Sequence, residues 1–194
     1  KDKIVYDESY FSTLVYRTWP DWKVVTPGPV RIVQDPVTNY VYLSATASLK
    51  NPPDSSYNSV VFISQDNGRT WNFNNPEVIK SFSSVTEIPR LFFYQNKLYA
   101  IVESNQPNGK DLDLYVSDNV NSWRFIQKIV SGIDNCGIFP YFSTTTEFCG
   151  GIASVPIVFN DGIVKVFYGE WDSNQEFKYA SKDITYLLTN GFVS

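Results

Sequence analysis

Glu103 and Glu170 each follow a proline, Pro89 and Pro156, by 14 residues, and each closes an apolar, aromatic-containing run. Two carboxylates on opposite sides of a glycosidic bond are what sugar hydrolysis requires, one as acid and one as nucleophile or base. Asp111, Asp113 and Asp172 are alternatives for either role. Arg31 and Arg90 stand just inside two other strand-like segments, and Glu87, Tyr57 and Trp171 lie in adjoining connections. Guanidinium groups grip carboxylates bidentately, and aromatic faces stack on the apolar side of a sugar ring. Arg31, Arg90, Glu103, Glu170, Trp171 and Tyr57 are therefore the candidate ligand-binding set. The same residues also have structural uses: arginine–glutamate pairs bridge neighbouring sheets, and a tryptophan packs.

Composition removes other chemistries. The 194 residues contain no histidine, which excludes Ser-His-Asp and Cys-His nucleophilic catalysis and imidazole acid–base work. With two cysteines and no histidine, a thiolate–imidazole zinc site cannot be assembled, and neither metal nor cofactor is expected. A net charge of −4 without a basic run argues against nucleic acid as a partner. No apolar stretch reaches the roughly 20 residues of a membrane-spanning helix. Phe, Tyr and Trp (14, 13 and 5) set against 19% charged residues describe a β-rich, aromatic-packed chain of extracellular type. The start at Lys1 and the lack of any Met predict a processed or excised chain.

The elements that must position these residues are short strands. Val41–Leu43, Val60–Ile63, Leu91–Tyr94, Leu98–Val102, Leu114–Val116, Ile157–Phe159 and Val164–Tyr168 are apolar runs separated by Asn, Asp, Gly, Pro and Ser. No window carries apolar residues at helical spacing, so the chain is expected to be all-β. Trp19, Trp71 and Trp123 recur 52 residues apart, each after a Ser or Thr. A proline followed by two strands also recurs, from Pro29, Pro89 and Pro156. This predicts four-stranded antiparallel units at 26–80, 85–130 and 151–194, a partial unit at 1–25 and an insertion at 131–150. Such repetition is the sequence form of a β-propeller, with an ordinary β-sandwich as the alternative.

Ser64-Gln-Asp66-Asn-Gly68-Arg-Thr70-Trp71 matches the Asp-box pattern Ser-x-Asp-x-Gly-x-Thr-Trp. It resembles the BNR repeats of the sialidase-like propeller superfamily. The copy at Ser117–Trp123 is one residue shorter and lacks the glycine, and the copies ending at Tyr186 and Trp19 are weaker still. The stretch Val155–Asp183 is similar to blades of five-bladed furanosidase-type glycoside hydrolases. The resemblance implies that ligands sit at the far ends of the strands from the Asp box, whose residues Ser64, Asp66, Gly68, Thr70 and Trp71 are structural. Sialidases use an arginine triad in a six-bladed ring, with the first arginine in an Arg-Ile-Pro string. This chain has Ile88-Pro89-Arg90 and too few units for six blades.

Cys136 and Cys149 flank the aromatic loop Gly137–Phe148. A disulfide is the simplest arrangement in an oxidising compartment, and two buried thiols in a cytosolic protein are the alternative. The expectation is an all-β, propeller-type recognition module, secreted or on the cell surface, that binds a glycan or an extracellular protein. A glycoside hydrolase, or a fragment of one, is the second expectation. Either the strand near Phe192-Val193 closes the ring, or self-association or a second chain completes it.

Overall fold

The computed structural model describes residues 22–24, 32–49, 57–71, 76–82, 89–106, 109–119, 122–133, 136–138, 147–149, 155–159, 163–171 and 177–184. Every regular element among them is a β-strand, and every pairing is antiparallel. The first sheet contains β1 (Trp22–Val24), β2 (Ile32–Gln34), β3 (Val41–Leu49), β4 (Tyr57–Ser64) and β5 (Glu77–Phe82). The middle sheet runs in chain order through β6 (Arg90–Tyr94), β7 (Lys97–Gln106), β8 (Gly109–Asn119) and β9 (Ser122–Ile133). After the small hairpin β10 (Cys136–Ile138) and β11 (Glu147–Cys149) comes a sheet of β12 (Val155–Val158), β13 (Val164–Trp171) and β14 (Phe177–Asp183).

The expected apolar runs all fall in strands, except that Phe159 lies just beyond β12. Unit boundaries differ. β1, which the repeat assigned to a separate partial unit, pairs with Ala47–Leu49 of β3, while β2 covers only Val41–Leu43. The reason is length: a nine-residue β3 beside a three-residue β2 leaves half an edge of backbone groups that need partners. The first and middle sheets also run past their expected ends, to Phe82 and Ile133. A fourth strand for the last unit, the partial copy at 1–21 and the closing strand near Phe192-Val193 lie outside the described residues.

The sheets stack face to face through the middle one. Strand alternation sends Leu98, Ala100, Val102 and Tyr115 toward Tyr42, Val61 and Ile79 of the first sheet. Tyr99, Ile101, Leu112, Leu114 and Val116 go the other way, onto Val164, Val166 and Tyr168 of the last sheet. A strand covered on both faces reads as a continuous apolar run, which is why Leu98–Val102 shows no polar alternation. The β6–β7 hairpin turns on Gln95 and Asn96, both at positive φ (48° and 59°), as a two-residue turn matched to strand twist requires.

The turn after β4 is built by its own side chains. Ser64 Oγ donates to Asp66 Oδ1 (2.8 Å) and accepts from Gly68 N–H (2.8 Å). Thr70 donates its N–H to Asp66 Oδ1 (2.8 Å) and its hydroxyl to Oδ2 (2.7 Å). The Thr70 hydroxyl and N–H, with the Ser64 hydroxyl, hold the Asp66 carboxyl down at about 2. A depressed folded-state value contributes stability that is present above the ordinary carboxylate range and lost as pH falls toward about 2. Asp66→Ala is expected to lower the melting midpoint by a few degrees at neutral pH, with the gap to the unsubstituted protein closing on acidification. Thermal melts across pH measure this, and a gap independent of pH would refute it.

Candidate functional site

The sequence candidates among the described residues lie toward the strand ends away from the β2–β3, β6–β7 and β12–β13 turns, and Arg90, Glu103, Asp111 and Asp113 belong to the middle sheet. Glu103, near the end of β7, is 4% exposed and forms an ion pair with Lys110 of β8. The two are diagonal neighbours, since Glu103 lies opposite Leu112 and Lys110 opposite Asn105. On the other face of the sheet, Asp111 is 3% exposed. Lys128 of β9 donates to its Oδ2, and the Gly132 N–H donates to its Oδ1 (3.1 Å). Donation to Asp111 raises the Lys128 ammonium above its ordinary value.

Asp113 stands beside this pair. Burial pushes its carboxyl up, against the attraction of Lys128, and the Asp111 carboxylate adds to the rise. Ser104 Oγ donates to its Oδ2 (3.3 Å), and Lys80 of the first sheet pulls its value down from across the interface. Its Oδ1 is buried and has no hydrogen-bond partner among the described residues. Below Asp113 on the same face, burial pushes the Tyr115 phenol up to about 12. The edge therefore holds two buried acids, Glu103 and Asp111, each paired with a lysine on its own face of the sheet, with Asp113 beside the second pair. Among the described residues, no group of three or more Cys, Asp or Glu could hold a metal ion.

The remaining candidates are spread over three sheets. Arg90 opens β6 opposite Ile101, two residues short of the level of Glu103, and is half-buried. Tyr57 opens β4 between Ser48 and Phe82 and is also half-buried. Glu170 and Trp171 end β13 opposite Lys178 and Phe177. Arg31, Glu87 and Asp172 lie outside the described residues. The shared 14-residue spacing does not make Glu103 and Glu170 equivalent. Arg90, one residue after its proline, faces Ile101, so Glu103 lies two residues on. Ile157, one residue after its proline, faces Lys165, so Glu170 lies five residues on. The β12–β13 hairpin has a shorter first arm and a longer connection, and identical counting lands at different heights.

The sequence reading missed Lys110 and Lys128, whose positions decide what the acids can do. A signal for Lys110 was present: Gln106 pairs with Gly109 across Pro107-Asn108, which sets Lys110 opposite Asn105, two residues along β7 from Glu103. Lys128 had none, because the β8–β9 register shifts between Leu112 and Asp113.

No protein-family model matches the chain, and no curated protein matches it. Among solved structures it is similar to a protein of unknown function from Dyadobacter fermentans DSM 18053, with a TM-score of 0.50 and 12% identity. The likeness covers 83% of this chain and 53% of that one, so the chain spans about half the length of that protein. At this identity the likeness concerns the fold alone, an all-β chain of stacked antiparallel sheets.

Proposed function

We propose that this chain is a non-catalytic recognition module of propeller type, related to the Asp-box proteins. It binds a glycan through the strand-end edge where Arg90 and Tyr57 stand and β13 ends at Trp171, with Arg31 as a further candidate read from the sequence. The observation that carries this reading is the pairing of Glu103 with Lys110 and of Asp111 with Lys128. Acids neutralised by lysines within the sheet order an edge and are poorly placed to exchange protons with a substrate. The step from fold to function is one of resemblance. Face-to-face stacking of successive antiparallel sheets and the side-chain-built turn at Ser64–Trp71 support the propeller arrangement.

A glycan array probed with the labelled chain tests the proposal. Binding to a defined sugar, weakened by Arg31→Ala, Arg90→Ala and Trp171→Ala, is the expected result. Silence across the array would move the reading to an extracellular protein partner, with the 137–148 loop as the contact. A hydrolytic reading rests on Asp113, a desolvated carboxyl with one unpartnered oxygen beside a second acid. Turnover of chromogenic glycosides that is lost in Asp113→Asn, Glu103→Gln or Glu170→Gln would favour it. Equal, absent turnover in all of them leaves recognition standing.

The proposal includes a disulfide. The β10–β11 pairing sets Cys136 directly opposite Cys149, and antiparallel partners have Cα atoms about 4.5–5.5 Å apart, within the span of a bridge. The purified chain is expected to be two hydrogens lighter than its reduced form, with the two cysteine peptides linked. Reduction should cost at most about 3 kcal/mol for so short a loop. Free thiols in the protein secreted from an expressing cell would refute the bridge.

A further inference from the structure

At the turn end of the first and middle sheets, opposite the edge just described, a cleft of about 260 Å³ opens between them. Tyr42, Phe93 and Trp123 give it aromatic walls, and Tyr42 meets Phe93 edge-on with ring centres 5.7 Å apart. Several polar groups in it stand without a hydrogen-bond or ion-pair partner among the described residues, among them the Tyr42 hydroxyl, the Glu77 carboxylate, the Lys97 ammonium and the buried Trp123 Nε1. Tyr42 is only 7% exposed, so its hydroxyl has few alternatives to the cleft. Burial pushes the Glu77 carboxyl up, the mark of an acid short of water. Asp35 also lines the space but is already satisfied, accepting from the Val37 N–H (2.8 Å) and the Thr38 hydroxyl (2.6 Å). Unpaired polar groups in a concave, partly apolar site are what a small-molecule pocket presents.

We propose that this cleft binds one neutral, polyhydroxylated sugar ring. Its size lies just under the roughly 300–1,000 Å³ of drug-sized sites, enough for a single ring and short of an oligosaccharide. Glu77 only accepts, Lys97 only donates, and the Tyr42 hydroxyl does both; hydroxyl groups satisfy all three. Free anions meet Glu77 and Asp35, and free cations meet Lys97. A zwitterionic amino acid matches both charges, but its ammonium and carboxylate share one carbon. Glu77 opens β5 of the first sheet and Lys97 opens β7 of the middle one, so the two lie on different walls. A ring carries hydroxyls on both edges and apolar C–H faces between, which suit Phe93 and Trp123. The site lies at the opposite strand ends from the proposed glycan edge and stands independently of it.

Saturation-transfer NMR with methyl glycosides of glucose, galactose, mannose, N-acetylglucosamine and arabinofuranose, followed by titration, tests the cleft. At least one is expected to bind saturably, with affinity about tenfold lower in Glu77→Gln and in Lys97→Ala. Tyr42→Phe, which keeps the ring and its packing, should also weaken binding, while Lys182→Ala, at an exposed position of β14, should not. No saturable glycoside, or equal affinity in all three cleft variants, would overturn the proposal. So would free amino acids that saturate where glycosides do not. Binding lost only in Arg90→Ala would place the sugar at the other edge, removing the cleft and upholding the edge.

Discussion

Lys110→Met is expected to destabilise the fold by about 3 kcal/mol, because it takes the Lys110 ammonium away from a carboxylate buried in the sheet. The side chains of the pair are 13% and 3% exposed for Lys110 and Glu103, so solvent screens the interaction little. Methionine preserves the length of the aliphatic stem, which confines the loss to charge. The double variant Glu103→Gln/Lys110→Met should recover more than half of it, since neither side then buries an uncompensated charge. Denaturant midpoints at equal m-values measure both. A Lys110→Met chain as stable as the parent would show that the pair contributes nothing. The same variants discriminate between functions: an ordering role moves stability, whereas a catalytic Glu103 would lose turnover in Glu103→Gln with the fold intact.

How far the sequence carried the fold depends on which kind of information each feature needs. Strands were legible because apolar runs and turn residues are local; Leu98–Val102 and Val164–Tyr168 lie inside β7 and β13. The Ser64–Trp71 turn was legible for the same reason, since its bonds span four residues at most. The partners of the acids were not. Whether Asp111 meets Lys128 depends on a register that slips within β8–β9, and residue types do not announce a bulge. The Glu103–Glu170 comparison failed for a related reason: counting from a proline measures chain length, and hairpin arms of unequal length convert it into different heights. The cleft was equally hidden, because Tyr42 and Glu77 come together through strand pairing in the first sheet and meet Lys97 only through sheet stacking.

Gly109→Ala is expected to cost about 3 kcal/mol, well above the same change at Gly68, and the contrast separates two causes of strain. Both glycines have positive φ, +118° at Gly109 and +83° at Gly68. At Gly68 the added Cβ would have space, the nearest atom being Trp71 Cζ2 at 4.0 Å, so only the left-handed backbone is strained, about 1 kcal/mol. At Gly109 the Cβ would lie 2.7 Å from the Ile133 carbonyl oxygen and 3.0 Å from the Gly132 carbonyl carbon. Those are backbone atoms of the adjacent strand and cannot swing aside, so β9 must move. Gly132 is also the residue whose N–H donates to Asp111, so the displacement reaches the acid–lysine network at the strand-end edge. Alongside the lower midpoint, the Gly132 amide resonance should shift and lose hydrogen-exchange protection in Gly109→Ala and remain unmoved in Gly68→Ala. Equal stability losses for the two variants would show that β9 yields freely. The close approach at Gly109 would then have no part in holding Asp111.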